Sequence, residues 1–536
     1  MDLLAKYKHY FPELKSLYPY QEEVLQHLIE GNNTLAIIST GGGKSLIFQL
    51  LALEFEGITI VVSPLIALMQ EQVNELKNRG INALALNSNI PFDEQRKLLR
   101  NLSDSDIKVL YLSPERLQNG IFRASLAASG VDISMIVIDE AHCISQWGQS
   151  FRPDYAQIVP FTRFLDSINQ KPIIFALTAT LAKEPRKAIQ NEFNILDGNT
   201  IKPQSIIRDN LNLHFIQVQD EKVKLVELEK FLQVNQPKKA LVYLYSKKKC
   251  EEYAESIKSK GYKTGYYHAD VRKEEKSKVY SGFRNGKIQI LFATTAFGMG
   301  INIPDIEAVV HIQIPNSIEE YYQHVGRGWR DKSISKTCQC LVVWSETNFD
   351  RRKKEIAGEK LSIEALKHRI SNLLRKRFKK GDIIPKDKEE YLNSSDNLQL
   401  IRFKLEEKGI IETVGEINGS PLKIEMYKNT DLWNQIQEDL DGLDSFKWAS
   451  DQSGIDIATI IDHLYEQEFI GNIKKMPAIR RDLFFRILTD RMDDKILLLI
   501  AEELNLAVDQ RLKNLDDLKT LFLSRLPDEL VEQFLS

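Results

Sequence analysis

Thr40-Gly41-Gly42-Gly43-Lys44-Ser45 and, further along, Asp139-Glu140-Ala141-His142 carry the residue types and spacing needed to handle a nucleoside triphosphate. Glycines let backbone N–H groups close on phosphate oxygens, and a helix starting at the loop adds partial positive charge. In this reading Lys44 reaches the terminal phosphates and the Ser45 hydroxyl sits on Mg2+. The loop departs from G-x-x-x-x-G-K-S because Ile38 occupies the first glycine position. Asp139 is expected to hold Mg2+ through water, and Glu140 to orient and deprotonate the attacking water. Either motif alone is also an ordinary turn. Together, each after an apolar strand, they imply an ATP-hydrolysing site.

A second group of residues looks built to face that site. Arg327 and Arg330, in Gln323-His324-Val325-Gly326-Arg327-Gly328-Trp329-Arg330-Asp331, follow a helix-like stretch. Arginines so placed can point across a cleft at the γ-phosphate, as an arginine finger does. Their bland reading is two surface arginines on a helix. Just upstream, the glycines of the loop from Ala293 to Asn302 permit close approach to a nucleotide or a nucleic-acid backbone. Ser63-Pro64-Leu65, Ser113-Pro114-Glu115-Arg116 and Thr178-Ala179-Thr180 each follow a strand and offer hydroxyls or N–H groups to phosphates.

The elements that must position these groups fall into two successive α/β patterns. Strands are predicted at 35–38, 58–62, 109–112, 135–138 and 173–176, then at 240–243, 264–267, 290–293, 308–312 and 339–343, separated by helix-compatible segments. Two mainly parallel sheets result, with boundaries expected at 1–203 and 204–345. At 536 residues the chain is too long for one core. A net charge of -3 gives no global sign of nucleic-acid binding, so any such binding must use local patches. No apolar run approaches the ~18 residues of a membrane span, and the start lacks a signal region, so a cytoplasmic location is expected. The 4 cysteines fit a reducing compartment, and Cys338 and Cys340 lack the second pair that a zinc site requires.

Through residue 345 the chain resembles the helicase core of the RecQ family, within superfamily-2 nucleic-acid helicases. The resemblance is carried by Ala141-His142-Cys143-Ile144-Ser145-Gln146-Trp147-Gly148-Gln149-Ser150-Phe151-Arg152-Pro153-Asp154-Tyr155 and by Phe297-Gly298-Met299-Gly300-Ile301-Asn302 with Pro304-Asp305. It implies two tandem RecA-like domains, ATP and Mg2+ as cofactors, and single-stranded and forked DNA as partners. It adds His142 to the catalytic set, and Gln21, Thr40, Gly300 and Asp305 to the nucleotide site, with Gln21 reading the adenine. Ser63, Pro64, Gln146, Trp147, Phe151, Arg152, Ser246 and Thr294 are expected on DNA. Side-chain chemistry agrees for the aromatic loop: Trp147 and Phe151 can stack on any unpaired base, and Arg152 can pair with a phosphate or an acidic residue. A hydrophobic anchor on the sheet's flank is the alternative. The chain departs from the family in having Gly328-Trp329 between the two arginines in place of alanine-glycine. It also lacks the usual arginine in 17–21, has Leu244 for a frequent cysteine, and has no cysteine after Cys340. The zinc module is therefore expected to be absent or metal-free.

After residue 345, Arg351-Arg352-Lys353-Lys354 and Arg375-Lys376-Arg377-Phe378-Lys379-Lys380 mark a basic helical segment, 346–392. It reads either as a solvated linker or as an arm that tracks phosphates. From 393 to 536 a mainly helical region is expected. A helix at 398–405 and a hairpin of 412–414 with 423–427 suggest a winged helix, binding duplex DNA or a protein partner. The combined expectation is an ATP-dependent 3′–5′ DNA helicase. Its alternatives are a translocase that remodels without unwinding and an ATP-gated DNA-binding scaffold.

Overall fold

The computed structural model describes residues 2–535 apart from 40, 65, 87–97, 100, 101, 103, 104, 119, 145–152, 182, 204–207, 296, 298–302, 330–336, 375, 376, 395, 396, 419–425, 441–453, 456–458, 461, 462, 465, 468, 469, 471, 473–480 and 491. The first sheet contains β1 (Thr34–Ile37), β2 (Ile58–Val62), β3 (Ala83–Leu86), β4 (Val109–Leu112), β5 (Ile133–Ile138), β6 (Ile173–Thr178) and β7 (Thr200–Ile201). They lie in the order β3-β4-β2-β5-β6-β1-β7, and every pairing is parallel. β1, β2 and β4 are buried along their whole length because helices cover both faces. On one face pack the helices Pro19–Ile29, Lys44–Glu54 and Ile66–Asn78; on the other, Gly120–Ser129 and Ile158–Ser167.

The second sheet contains β8 (Leu211–Gln217), β9 (Ala240–Tyr243), β10 (Thr264–Tyr267), β11 (Ile290–Ala293), β12 (Ala308–His311) and β13 (Cys338–Trp344). Its order is β10-β11-β9-β12-β13-β8, again all parallel. Cys338 and Cys340 point to one interior face, their sulfurs 4.0 Å apart. No helix among the described residues is long and apolar enough to cross a membrane.

The C-terminal region forms a third, antiparallel sheet. The strand Ile411–Asn418 (β15) pairs with Arg481–Ile487 (β16), which also pairs with Ile383–Asp387 (β14), all antiparallel. Residues 421–425, most of the expected partner strand, lie outside the described residues. Helix Ile363–Leu373, β14, helices Lys388–Asn393 and Leu398–Glu407, then β15 and β16 follow the element order of a winged helix, with a long insertion where the wing's turn belongs.

The segment 346–392 makes packed contacts. Helix Glu346–Ala357 packs on the long helix Asp494–Leu523, which returns to the second sheet. Lys353 pairs with Asp516, Lys360 with Asp509, and Lys519 with Glu346, so opposite charges zip the two segments together. Arg352 is held by Asn316 and Glu355, while Lys379 and Lys380 donate backbone N–H groups to Asp382 and Asp490. Arg375 and Lys376 lie outside the described residues. Beneath the long helix, Phe522 stacks on Phe215 with centroids 4.9 Å apart and touches Tyr321, Trp344 and Phe349.

Candidate nucleotide site and inter-sheet cleft

β1 ends in a loop that turns sharply before helix Lys44–Glu54. Gly41 and Gly43 adopt φ of 83° and 78°, the left-handed region that side chains avoid. Even at Gly42 a Cβ would stand 2.4 Å from Ile38 Cγ2, and at Gly43 2.4 Å from Gln21 Nε2. Glycine is therefore demanded by space as well as by backbone angle. The Tyr20 hydroxyl donates to the Gly42 carbonyl at 2.9 Å. Gln21, which is buried, donates its amide to the Gly42 and Gly43 carbonyls, both at 3.2 Å, and accepts from the Tyr18 N–H at 2.9 Å. Its amide thus braces the phosphate loop directly, a contact that the adenine role did not anticipate. Tyr18 stacks on Tyr20, ring centroids 5.3 Å apart. Thr40 lies outside the described residues.

Asp139 and Glu140 stand at the carboxyl end of β5, the ligand side of an open parallel sheet. Glu140 turns back through a φ of 51°. Asp139 accepts the Ser63 hydroxyl at 3.3 Å and the Glu140 N–H at 3.0 Å, and its carbonyl accepts the Tyr155 hydroxyl at 2.7 Å. Ser63, expected on DNA, is buried, and its hydroxyl donates to Asp139. Burial, and then the Glu140 charge, push the Asp139 carboxyl up. Burial opposes charge on Glu140 too, but Lys44, His142 and Arg327 outweigh it and hold that carboxyl low. Two buried carboxyls with Lys44 close by form a set that a divalent cation fits, since Mg2+ takes few protein oxygens beside substrate phosphates. Ser45 and Asp139 are the residues to hold it.

His142 lies 3.3 Å from Glu140 Oε2 and 3.0 Å from Thr178 Oγ1 through Nδ1. Burial works against its charged form, and the Cys143 sulfur and the Glu140 carboxylate more than offset that. Thr178 donates to the Thr180 carbonyl at 3.0 Å, and the Thr180 hydroxyl accepts from Gln323 of the second sheet's helix Ile318–Val325 at 3.3 Å. A polar path therefore runs from the Glu140 carboxylate across the cleft. Gln323 was not singled out from sequence; it lies on the helix that leads into the Arg327 loop.

Arg327 occupies the opposite wall. It is 7% exposed, its Nε has no partner among the described residues, and its charge acts on Glu140. Trp329, the departure from the family pattern, is buried in the core. The Asp305 carboxylate is engaged by Lys239 at 2.8 Å, beside Ile306, whose carbonyl accepts the Trp329 N–H. Thr294 donates its N–H to the Tyr267 carbonyl at 3.2 Å, and Ser246 caps helix Lys247–Lys258 by accepting from the Lys249 N–H at 3.4 Å. Pro64 follows Ser63 at the end of β2. Gln146, Trp147, Phe151, Arg152, Gly300 and Arg330 lie outside the described residues.

Comparison with known proteins agrees with this geometry. The DEAD/DEAH box helicase family matches residues 18–188, and the helicase conserved C-terminal domain matches 223–332. An ATP-dependent DNA helicase RecQ from Bacillus subtilis is 38% identical over 330 residues, covering 61% of this chain and 53% of its own. From the same organism, a probable ATP-dependent DNA helicase RecS is 33% identical over 350 residues, 65% of this chain and 68% of its own. Among solved structures, the helicase MrfA bound to DNA superposes with a TM-score of 0.53 at 16% identity, over 76% of this chain and 57% of its own, which speaks to fold alone. The chain spans about half the length of the RecQ relatives it matches. With the two matched domains lying on the two sheets, and a relative aligned over two thirds of its length, this chain belongs to the RecQ family.

Proposed function

We propose that this chain hydrolyses ATP in the cleft between its two sheets and uses that cycle to move along single-stranded DNA and separate duplex ahead of it. The observation that carries the proposal is Arg327: an arginine from the second sheet, nearly buried, acting on the Glu140 carboxylate of the first. In the reaction, Glu140 takes a proton from water as its oxygen attacks the γ-phosphorus, and the bond to the β-phosphate oxygen breaks. Lys44 and Arg327 meet the charge that develops on the transferred group. Mg2+ held through Ser45 and Asp139 would neutralise charge on the bridging phosphates. Movement along 3′–5′, work in DNA repair or recombination, a cytoplasmic location and a protein partner for the C-terminal region belong to the same proposal and follow the family. Trp147 and Phe151 are the bases' proposed stacking partners.

A second reading is a translocase that does not unwind. It is favoured by the helix Leu398–Glu407, which packs on the first sheet's segment Pro153–Gln157 and so is not free to wedge into a duplex. Steady-state turnover with and without single-stranded DNA, beside a labelled fork, separates these. DNA-stimulated turnover with strand release is the expected result. Stimulation without release favours the translocase, and no stimulation by DNA would sink the coupling.

A further inference from the structure

Arg208 stands just before β8, and its guanidinium spreads across the inner side of the loop that carries Arg327. One terminal nitrogen donates to the Gly326 carbonyl at 2.8 Å; the other donates to the Gly328 carbonyl at 2.8 Å and also to that of Trp329. The Arg208 N–H donates to the Tyr322 hydroxyl at 2.6 Å, and Asn210 Nδ2 reaches the Trp329 carbonyl at 3.0 Å. Carbonyls past a helix end have no partners within the helix, and here they are turned inward, where an unpaired one is costly.

The loop cannot hold this shape on local preference. Trp329 sits at a φ of 22°, in the region that L side chains avoid, and a Cβ at Gly328 would lie 2.1 Å from the Cys338 sulfur. Something outside it must fix it. Arg327 Nε, for its part, has no partner of its own among the described residues, so the direction of that side chain depends on the backbone from which it springs. A planar fork meets three carbonyls at once; an ammonium is a point charge without that geometry.

We propose that Arg208 is a positioning residue for the cleft arginine. By gripping the carbonyls of Gly326, Gly328 and Trp329 it fixes the loop so that Arg327 meets Glu140, and it thereby sets the rate of ATP hydrolysis without touching the nucleotide. This rests on the hydrolysis reading above.

The test is a double-substitution cycle in the full-length chain, reading ATP turnover at saturating single-stranded oligonucleotide for Arg208→Lys, Arg327→Ala and the pair. Arg208→Lys should lower kcat by roughly ten-fold while the KM for ATP stays within about three-fold, and the pair should be no slower than Arg327→Ala alone. Multiplying losses in the pair, or unchanged kcat in Arg208→Lys, would overturn the proposal. Should the lysine variant fold poorly, Arg208→Gln carries the same cycle. Amide hydrogen exchange at 326–329 gives a readout independent of turnover: it should quicken in the substituted chain, and unaltered protection there rejects the clamp. Absent turnover in the unsubstituted protein would instead count against hydrolysis itself.

Discussion

The two sheets share an architecture and treat buried polar groups in opposite ways. Behind its cleft edge the first keeps charge: Asp139, Glu140 and His142 lie in contact range, with Lys44 and Arg327 acting on Glu140. Beneath the Arg327 loop the second places neutral rings. Tyr243 stacks on His324 with centroids 4.0 Å apart, and His311 Nε2 lies 3.0 Å from His324 Nδ1, in a core with no carboxylate paired to either ring. Burial pushes the His311 imidazole down to about 3 and holds that of His324 well below its ordinary value. One wall stores the reacting charges, while the other presents Arg327 on a loop that Arg208 grips, above a stack of neutral rings. Charge at a reaction centre must be preorganised, whereas an arginine delivered from outside needs only a stiff base.

The most severe way to break the contrast is to neutralise the charged wall. Glu140→Gln removes the base and keeps the shape, so turnover should fall by roughly 10²–10⁴-fold while ATP still binds. Equilibrium binding of a fluorescent ATP analogue beside turnover checks this, and near-normal turnover would remove Glu140 from its role. On the facing wall, Arg327→Ala should cost on the order of 10³-fold in kcat, and Arg327→Lys should recover little of it, because a point charge lacks the guanidinium fork. Recovery close to the unsubstituted rate in the lysine variant would show that charge alone suffices.

How much of this was legible in the chain depends on whether a signal was local. Strands buried on both faces read as unbroken apolar runs, which is why β1, β2, β5 and β9 were evident. β3 escaped because Ala83-Leu84-Ala85-Leu86 is equally good helix sequence. β8 alternates Leu211, Leu213 and Phe215 with polar residues, a period-two signal that was present and went unread. The glycine loop, the Asp139-Glu140 pair and Arg327 were readable because each is a short motif with its own chemistry. Ser63, Tyr155, Gln323 and Arg208 were not assigned these contacts, since each acts through a partner distant in sequence. The ion pairs of the basic segment after residue 345 were hidden for the same reason. Lys353 looks like a phosphate ligand until Asp516 is brought beside it by the returning helix.

A gentler perturbation is to charge the neutral wall with acid. The folded pKa values of His311 and His324 lie below the unfolded value of ~6.5, so the unfolded chain binds more protons as pH falls. Their contribution is therefore intact above pH 6.5 and is lost progressively below it, by about 2 kcal/mol at pH 5 for His311. Thermal unfolding followed from pH 7.5 to 5 should show a falling midpoint, with a shallower slope in His311→Phe. Parallel slopes in the two proteins would mean that the stack is not what acid attacks.

The smallest expected effect lies where the two walls meet. The hydrogen bond from Gln323 to Thr180 is the described polar contact joining the second sheet's arginine helix to the path through Thr178 and His142 to Glu140. At 3.3 Å between partly buried neutral groups it is worth about 1 kcal/mol, so its loss is small for stability yet visible in rate. Gln323→Leu should lower DNA-stimulated kcat by roughly five-fold, with unstimulated turnover nearly unchanged. Thr180→Val should match it, and the two together should do no more than either alone, because each removes the same bond. Equal losses with and without DNA would place Gln323 in the chemistry of the cleft, and the path across it would then carry no signal from the bound strand.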